Sequence, residues 1–233
     1  MNQLYIALDF PTEAEVFSFL ERFEATRPAV KIGMELFYAA GGTFVRKLVE
    51  RGHAVFLDVK VHDIPETARR TMRAIGQLGV ELTNVHVAGG KEMMIAAREG
   101  LRETNAETQL IGVTQLTSTD EAMLRNLKIE GAMPTVVRAY AQLAEAAGLD
   151  GIVCSALDLP ELVPACRADF RFVTPGIRPT NSQADDQKRV ATVLDARQNG
   201  ASDLVIGRPI TRAEHPEQVY HMLLEQWKGQ FSW

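Results

Sequence analysis

Eight times over, this chain sets a short apolar run ahead of an amphipathic segment. That alternation restricts the folds open to it more than any other property. The runs lie at residues 4–8, 29–32, 54–59, 82–87, 110–113, 151–154, 170–174 and 203–206, and their length and composition are those of strands. The segments at 14–23, 43–50, 66–78, 91–102, 135–147, 159–166, 187–198 and 216–227 carry apolar residues three and four apart, the spacing of one helix face. Gly52, Gly79, Gly148 and Gly200 follow several of them, where a left-handed stop suits a helix end. Eight strands alternating with eight helices is the count of a (β/α)8 TIM barrel. The sequence therefore predicts α/β architecture, with residues 1–233 forming a single (β/α)8 barrel domain. Such a barrel needs about 250 residues, close to the 233 present. The competing fold is an open doubly wound sheet, which usually has a glycine-rich first turn for pyrophosphate. Here that turn reads Asp9-Phe10-Pro11-Thr12.

Composition narrows the function classes. An apolar share of 46% with 24% charged residues is ordinary for a soluble globular protein. A net charge of −5 argues against nucleic-acid or anionic-membrane binding, which needs a basic face. It leaves room for a small anion held by a few local Lys and Arg. Cys154 and Cys166 match no zinc or redox spacing, and Cys154 reads as a buried thiol. With no signal peptide and no long apolar span in view, the expected setting is the cytoplasm.

In a barrel of this kind the chemistry gathers at the C-terminal ends of the strands. Asp9 follows the first run, Lys31 sits in the second, and Asp58 and Lys60 close the third. His86 ends the fourth, while Thr114, Gln115 and Thr117 follow the fifth. Thr174-Pro175-Gly176-Ile177-Arg178 follows the seventh, and Gly207-Arg208 the eighth. The stretch Asp58-Val59-Lys60-Val61-His62-Asp63-Ile64-Pro65 is the densest. Side chains two apart in a strand share a face, so Asp58 and Lys60 project together. Buried charges of this kind are costly unless paired. Pro65 fits the first turn of a following helix, with Asp63 near its positive end. Lys31, Asp58, Lys60 and Asp63 alternate in sign and, if they meet, titrate as a coupled set. Such a network could serve only to order a loop, but it also offers a fixed acid, Lys60, beside a fixed negative charge, Asp58, a suitable pair for protonating a carbanion. Val205-Ile206-Gly207-Arg208-Pro209-Ile210 reads as a phosphate grip, with a close backbone approach at Gly207 and a two-pronged donor in Arg208. Gly176 and Arg178 supply a second half. His86 reads as a barrel-interior residue, His62 as loop support or a subunit contact, and His53, His215 and His221 as surface positions. No His, Asp and Glu cluster has metal-ligand spacing.

The block Asp58-x-Lys60-x-x-Asp63-Ile64-Pro65-x-Thr67 resembles the signature of the orotidine 5′-phosphate decarboxylase family. Ala7-Leu8-Asp9, Val30-Lys31-Ile32-Gly33, Val113-Thr114-Gln115-Leu116-Thr117, Val173-Thr174-Pro175-Gly176-Ile177-Arg178 and Ile206-Gly207-Arg208-Pro209-Ile210-Thr211 follow the family's order. The resemblance implies decarboxylation of orotidine 5′-monophosphate to uridine 5′-monophosphate, the last step of de novo pyrimidine synthesis, with no cofactor and no metal. It implies that Lys60 donates a proton to C6, that Asp58 faces the substrate carboxylate, and that Lys31 bridges Asp58 and the ribose hydroxyls. Asp9 would bind ribose, Thr117 and Pro175 would line the base pocket, and Arg178, Gln187, Gly207 and Arg208 would hold the phosphate. Asp63, Ile64 and Thr67 would reach into the neighbouring site of a homodimer. A metal-dependent sugar-phosphate decarboxylase or synthase is the nearest alternative, but such enzymes resemble this chain with a glutamate where it has Lys31. A catalytically silent phosphate-binding barrel is the alternative from another class.

Overall fold

The computed structural model describes residues 3–23, 26–178 and 191–229. The strands are β1 (Leu4–Ala7), β2 (Ala29–Gly33), β3 (Val55–Val61), β4 (Leu82–His86), β5 (Gln109–Val113), β6 (Gly151–Val153), β7 (Arg171–Thr174) and β8 (Asp203–Ile206). They pair in chain order, all parallel, and β8 returns to β1 to close the barrel. The open-sheet alternative is excluded. Around the barrel run α1 (Glu13–Glu21), α2 (Met34–Glu50), α3 (Pro65–Gly76), α4 (Lys91–Arg102), α5 (Glu121–Asn126), α6 (Met133–Ala146), α7 (Leu159–Leu162), α8 (Val193–Gln198), α9 (Arg208–Thr211) and α10 (Pro216–Lys228).

Local chemistry sets most helix ends. Thr12 caps α1 by accepting from the Glu15 amide, a partner for one of the first-turn donors. Pro65 occupies the first turn of α3, where a missing N–H costs nothing. Gly52, Gly79, Gly148 and Gly200 all have positive φ, as expected. Three features differ from the sequence reading. Helix α2 starts nine residues before the expected 43, running through a kink at Gly41 whose φ is 74°. Helices α5 and α9 were not expected; Asp120 caps α5 by accepting from the Met123 amide at 3.0 Å. The segment expected as a helix at 159–166 ends at Leu162 and tightens into a 3-10 turn over Val163–Ala165, where Pro164 donates no hydrogen bond. Residues 187–190 of the expected seventh helix lie outside the described residues.

Two shells of apolar side chains follow from strand alternation. Tyr5, Ala7, Ala29, Phe56, Leu82, Ile111, Val173 and Val205 fill the barrel interior. Their strand neighbours, such as Ile6, Ile32, Leu57 and Val85, face outward against Phe19, Phe44, Met72, Met94 and Trp227 of the helical layer. Each fully buried large side chain contributes roughly 1.5–3 kcal/mol, so this double shell supplies the rigidity on which a site can be built. Cys154 is buried, as expected. His53 is a correction: it is buried rather than superficial, with Nδ1 3.0 Å from the Pro28 carbonyl oxygen.

The N-terminal mouth of the barrel is closed by polar groups. Asp203, fully buried, takes the Arg171 Nε–H at 2.9 Å and the Gln3 amide at 2.8 Å. Arg171 also donates to Gln109, and Tyr5 donates to Glu81 at 3.0 Å. With that end filled, the interior opens into a cavity at the C-terminal ends of the strands.

Candidate active site

A cavity at that end is floored by Ala7, Phe56, Val113, Val153 and Val205 and rimmed by Asp9, Lys31, Asp58, Lys60, Gln115, Thr117, Pro175, Gly176, Arg178, Gly207 and Arg208. The floor belongs to the inward shell, so strand alternation places the next inward residues, Asp9, Lys31 and Asp58, directly above it. Nearly every strand-end group singled out in the sequence is brought together here.

The charges are closely spaced. Lys60 Nζ lies 2.7 Å from Asp58 Oδ1, and Lys31 Nζ lies 3.5 Å from Asp58 Oδ2 and 3.4 Å from Asp9 Oδ1. Gly33 leaves the room this needs, since a Cβ there would sit 3.2 Å from Lys31 Nζ. The Asp58 side chain is 14% exposed. Burial by itself would raise its carboxyl, but the ammonium groups of Lys31 and Lys60 and hydrogen bonds from Lys60 and Asn84 outweigh burial and hold it below its ordinary value. Asp58 is thus kept as a carboxylate between two cations.

The shared face of Asp58 and Lys60 is reached through a bulge. Leu57 pairs with Thr83 and Val61 with Val85, so three residues of β3 stand opposite Asn84 alone. Lys60 there adopts φ of 49°, a left-handed conformation that non-glycine residues rarely take. Asn84 was not singled out from the sequence. Its signal would have been a polar amide inside the apolar run Leu82-Thr83-Asn84-Val85.

Opposite the charged group, Arg178 and Arg208 flank the cavity from the ends of β7 and β8. Gly176 has φ of 81°. A Cβ at Gly207 would meet the Ala7 Cβ at 3.3 Å and Asp9 Oδ2 at 3.6 Å, so the loop lies tight against β1. Gln187 lies outside the described residues.

Asp63, Ile64 and Thr67 do not enter this cavity. Asp63 accepts from the Ile64 amide at 2.7 Å, and Ile64 is 68% exposed. Asp63 and Thr67 instead line a groove between α2 and α3 that also contains Met34, Tyr38 and His62 and reaches Lys60. Of the four alternating charges, three meet within one chain. His86, half-buried, packs its ring 5.6 Å from that of His62. Burial, then His62 and Lys60, lower its pKa against the pull of Asp58. Among the described residues no group of His, Cys, Asp and Glu could hold a metal ion, and no helix is long and apolar enough to cross a membrane.

Known proteins resemble this chain over nearly its whole length. Orotidine 5′-phosphate decarboxylase of Streptococcus thermophilus is 51% identical over 98% of this chain and 99% of its own length. That of Staphylococcus haemolyticus is 49% identical over 96% and 97%. The crystal structure of orotidine 5′-phosphate decarboxylase from Lactobacillus acidophilus aligns with a TM-score of 0.89 and 35% identity, covering 97% of this chain and 99% of that one. A family model for orotidine 5′-phosphate decarboxylase / HUMPS matches residues 2–223. With nearly the whole chain matched at this level, the protein belongs to the orotidine 5′-phosphate decarboxylase / HUMPS family.

Proposed function

We propose that the protein is a carboxy-lyase that converts orotidine 5′-monophosphate to uridine 5′-monophosphate and CO2, the closing step of pyrimidine synthesis, without a cofactor. The observation that carries this reading is the 2.7 Å contact of Lys60 Nζ with Asp58 Oδ1, in a cavity whose rim also holds Arg178 and Arg208. Family membership supplies the substrate.

Breaking the bond between C6 and the carboxylate leaves an electron pair in the plane of the pyrimidine ring, where no π-system can accept it. Lys60 faces that pair as an ammonium, stabilises it, and passes one Nζ proton to C6; the resulting amine is reprotonated from solvent. This is electrostatic preorganisation applied to carbon. Enzymes lower barriers by about 8–23 kcal/mol, whereas one charge at about 4 Å is worth roughly 4 kcal/mol at the effective dielectric of a protein. Most of the acceleration therefore has to come from gripping the rest of the substrate and closing around it. In this reading Arg178, Gly207 and Arg208, joined by Gln187, hold the phosphate, Asp9 and Lys31 the ribose, and Thr117 and Pro175 the base. Asp58 repels the substrate carboxylate, a smaller contribution. Lys31 places an ammonium 3.5 Å from Asp58 Oδ2, in the space a divalent cation would need, which supports cofactor-free chemistry over the sugar-phosphate alternative.

The same reading makes the protein a cytoplasmic homodimer, with Asp63, Ile64 and Thr67 serving the neighbouring protomer's site. The apolar groove holding Met34, Tyr38 and Thr67 supports it, because that groove leads to Lys60 and Tyr38 is 77% exposed.

The deciding assay follows orotate absorbance when orotidine 5′-monophosphate is added to the protein in excess EDTA. Loss of absorbance with matching CO2 release is expected. An unchanged spectrum from folded dimer would overturn the proposal, and activity that depends on added Mg2+ would overturn its cofactor-free part.

A further inference from the structure

We propose that Asn84 is a positioning residue for this reaction, fastening the bulge of β3 so that Asp58 and Lys60 meet in reactive register. The inference rests on the function proposed above. Asn84 is fully buried on β4 and bonds to both members of the pair. Its Nδ2 donates to Asp58 Oδ1 at 2.6 Å, and its Oδ1 accepts from the Lys60 backbone amide at 2.8 Å. A backbone N–H can only donate, so the orientation of the amide is fixed by its partners.

The register explains why a side chain has to do this. Between the pairs Leu57–Thr83 and Val61–Val85, three residues of β3 face one of β4, so the backbone ladder cannot satisfy the extra groups. Side chains fill the gap. Thr83 Oγ1 donates to the Leu57 carbonyl at 3.0 Å on the outer face, and Asn84 serves the inner one. The left-handed φ of Lys60 persists only where its surroundings over-determine it. The Asn84–Lys60 hydrogen bond is one such restraint, and the Lys60–Asp58 contact is another. A single amide thereby sets both the backbone that aims Lys60 and the carboxylate oxygen that receives its ammonium.

Asp58 is faced by Lys31 from β2 and by Lys60 from its own strand, with Asp9 beyond Lys31 and His86 further along β4. Among these neighbours Asn84 is an uncharged donor to the carboxylate. Losing it makes Asp58 easier to protonate, so activity falls away at a higher pH on the acidic side.

The test compares wild type with Asn84→Leu, similar in volume, and Asn84→Ala, which removes both hydrogen bonds without adding a charge beside Asp58. Steady-state kinetics with orotidine 5′-monophosphate are measured across pH, with thermal melting as a check on folding. The expected result is a kcat lower by about 10²-fold, the scale of a small misplacement of reacting groups. KM should stay within about threefold, because the phosphate grip is intact, and the acidic limb of kcat should move to higher pH in both variants. If the leucine variant fails to fold, the alanine variant decides alone. A kcat within about twofold of wild type, or a loss of activity with an unmoved pH profile, overturns the inference. An inert wild type overturns the proposed function itself, and the positioning role with it.

Discussion

Replacing Arg171 by methionine tests how the barrel closes its lower end. Asp203 has no exposed side-chain surface, and the Arg171 guanidinium is its only charged partner within 4 Å among the described residues. Removing one member of a buried ion pair costs about 3–5 kcal/mol, because the other charge is stranded. For a chain of this size each kcal/mol moves the melting temperature by about 2–4 °C, so Arg171→Met should melt about 6–20 °C lower. The Gln3 amide still donates to Asp203, which favours the lower half of that range. The loss should depend on pH with a definite sign. Burial already raises the Asp203 carboxyl above its usual 3.8, with Arg171 pulling the other way. Without Arg171 it rises further, so the folded state keeps a proton that the unfolded chain has released. Stability of the variant then falls as pH rises through that window. The deficit is therefore smaller at about pH 5 than at about pH 8. Calorimetry at both values reads this directly, and kcat of the folded variant should not change, since the cavity is at the opposite end. Arg171→Met combined with Asp203→Leu removes both charges and should recover most of the loss. A melting temperature within about 2 °C of wild type at the higher pH, or a double variant weaker than the single one, would refute the reasoning.

Lys60→Ala should lower turnover by at least about 10³-fold, within the range for removing a proton donor, while uridine 5′-monophosphate still binds in calorimetric titration; near-normal turnover would remove Lys60 from its role. Arg208→Ala should raise KM by about 10–100-fold, the equivalent of one or two charge-assisted hydrogen bonds, and should leave a phosphate-free nucleoside substrate almost unaffected. Gly100→Ala should destabilise by about 1–3 kcal/mol in urea unfolding, because an added Cβ would overlap the Arg69 carbonyl oxygen and sit 2.8 Å from its carbon. The His53 pKa is lowered chiefly by burial, so below the ordinary value of 6.5 the unfolded chain binds a proton that the folded one refuses. Stability should fall as pH drops below that value, and His53→Gln should flatten the slope.

Much of the architecture was legible because buried strands and amphipathic helices write different periods into a sequence. The runs around Val30, Leu57 and Ile206 are continuous, and the helical spacing resumes after each. The first turns of α2 escaped notice because Gly41 and Gly42 interrupt the helical period and Tyr38 points outward. The bulge left no trace at all. Inserting two residues keeps a period of two in phase, so Phe56, Asp58 and Lys60 read as ordinary alternation. The charges were visible as residue types, but the amide that links them was hidden inside an apolar strand. His53 was misplaced because the carbonyl of Pro28, which it meets, is 25 residues away.

The two surplus residues of β3 matter for how such an enzyme could be built or dismantled. A strand two residues shorter would keep every outward side chain facing outward and would still pair Leu57 with Thr83 and Val61 with Val85. The barrel's topology has no use for the insertion, yet Asp58 and Lys60 lie within it. Scaffold and chemistry are therefore separable along the chain. Excising residues at this one point should turn a catalyst into an inert binding barrel, and a designer grafting the same short detour onto a plain barrel would need two polar residues on the adjoining strand, counterparts of Thr83 and Asn84, to hold it.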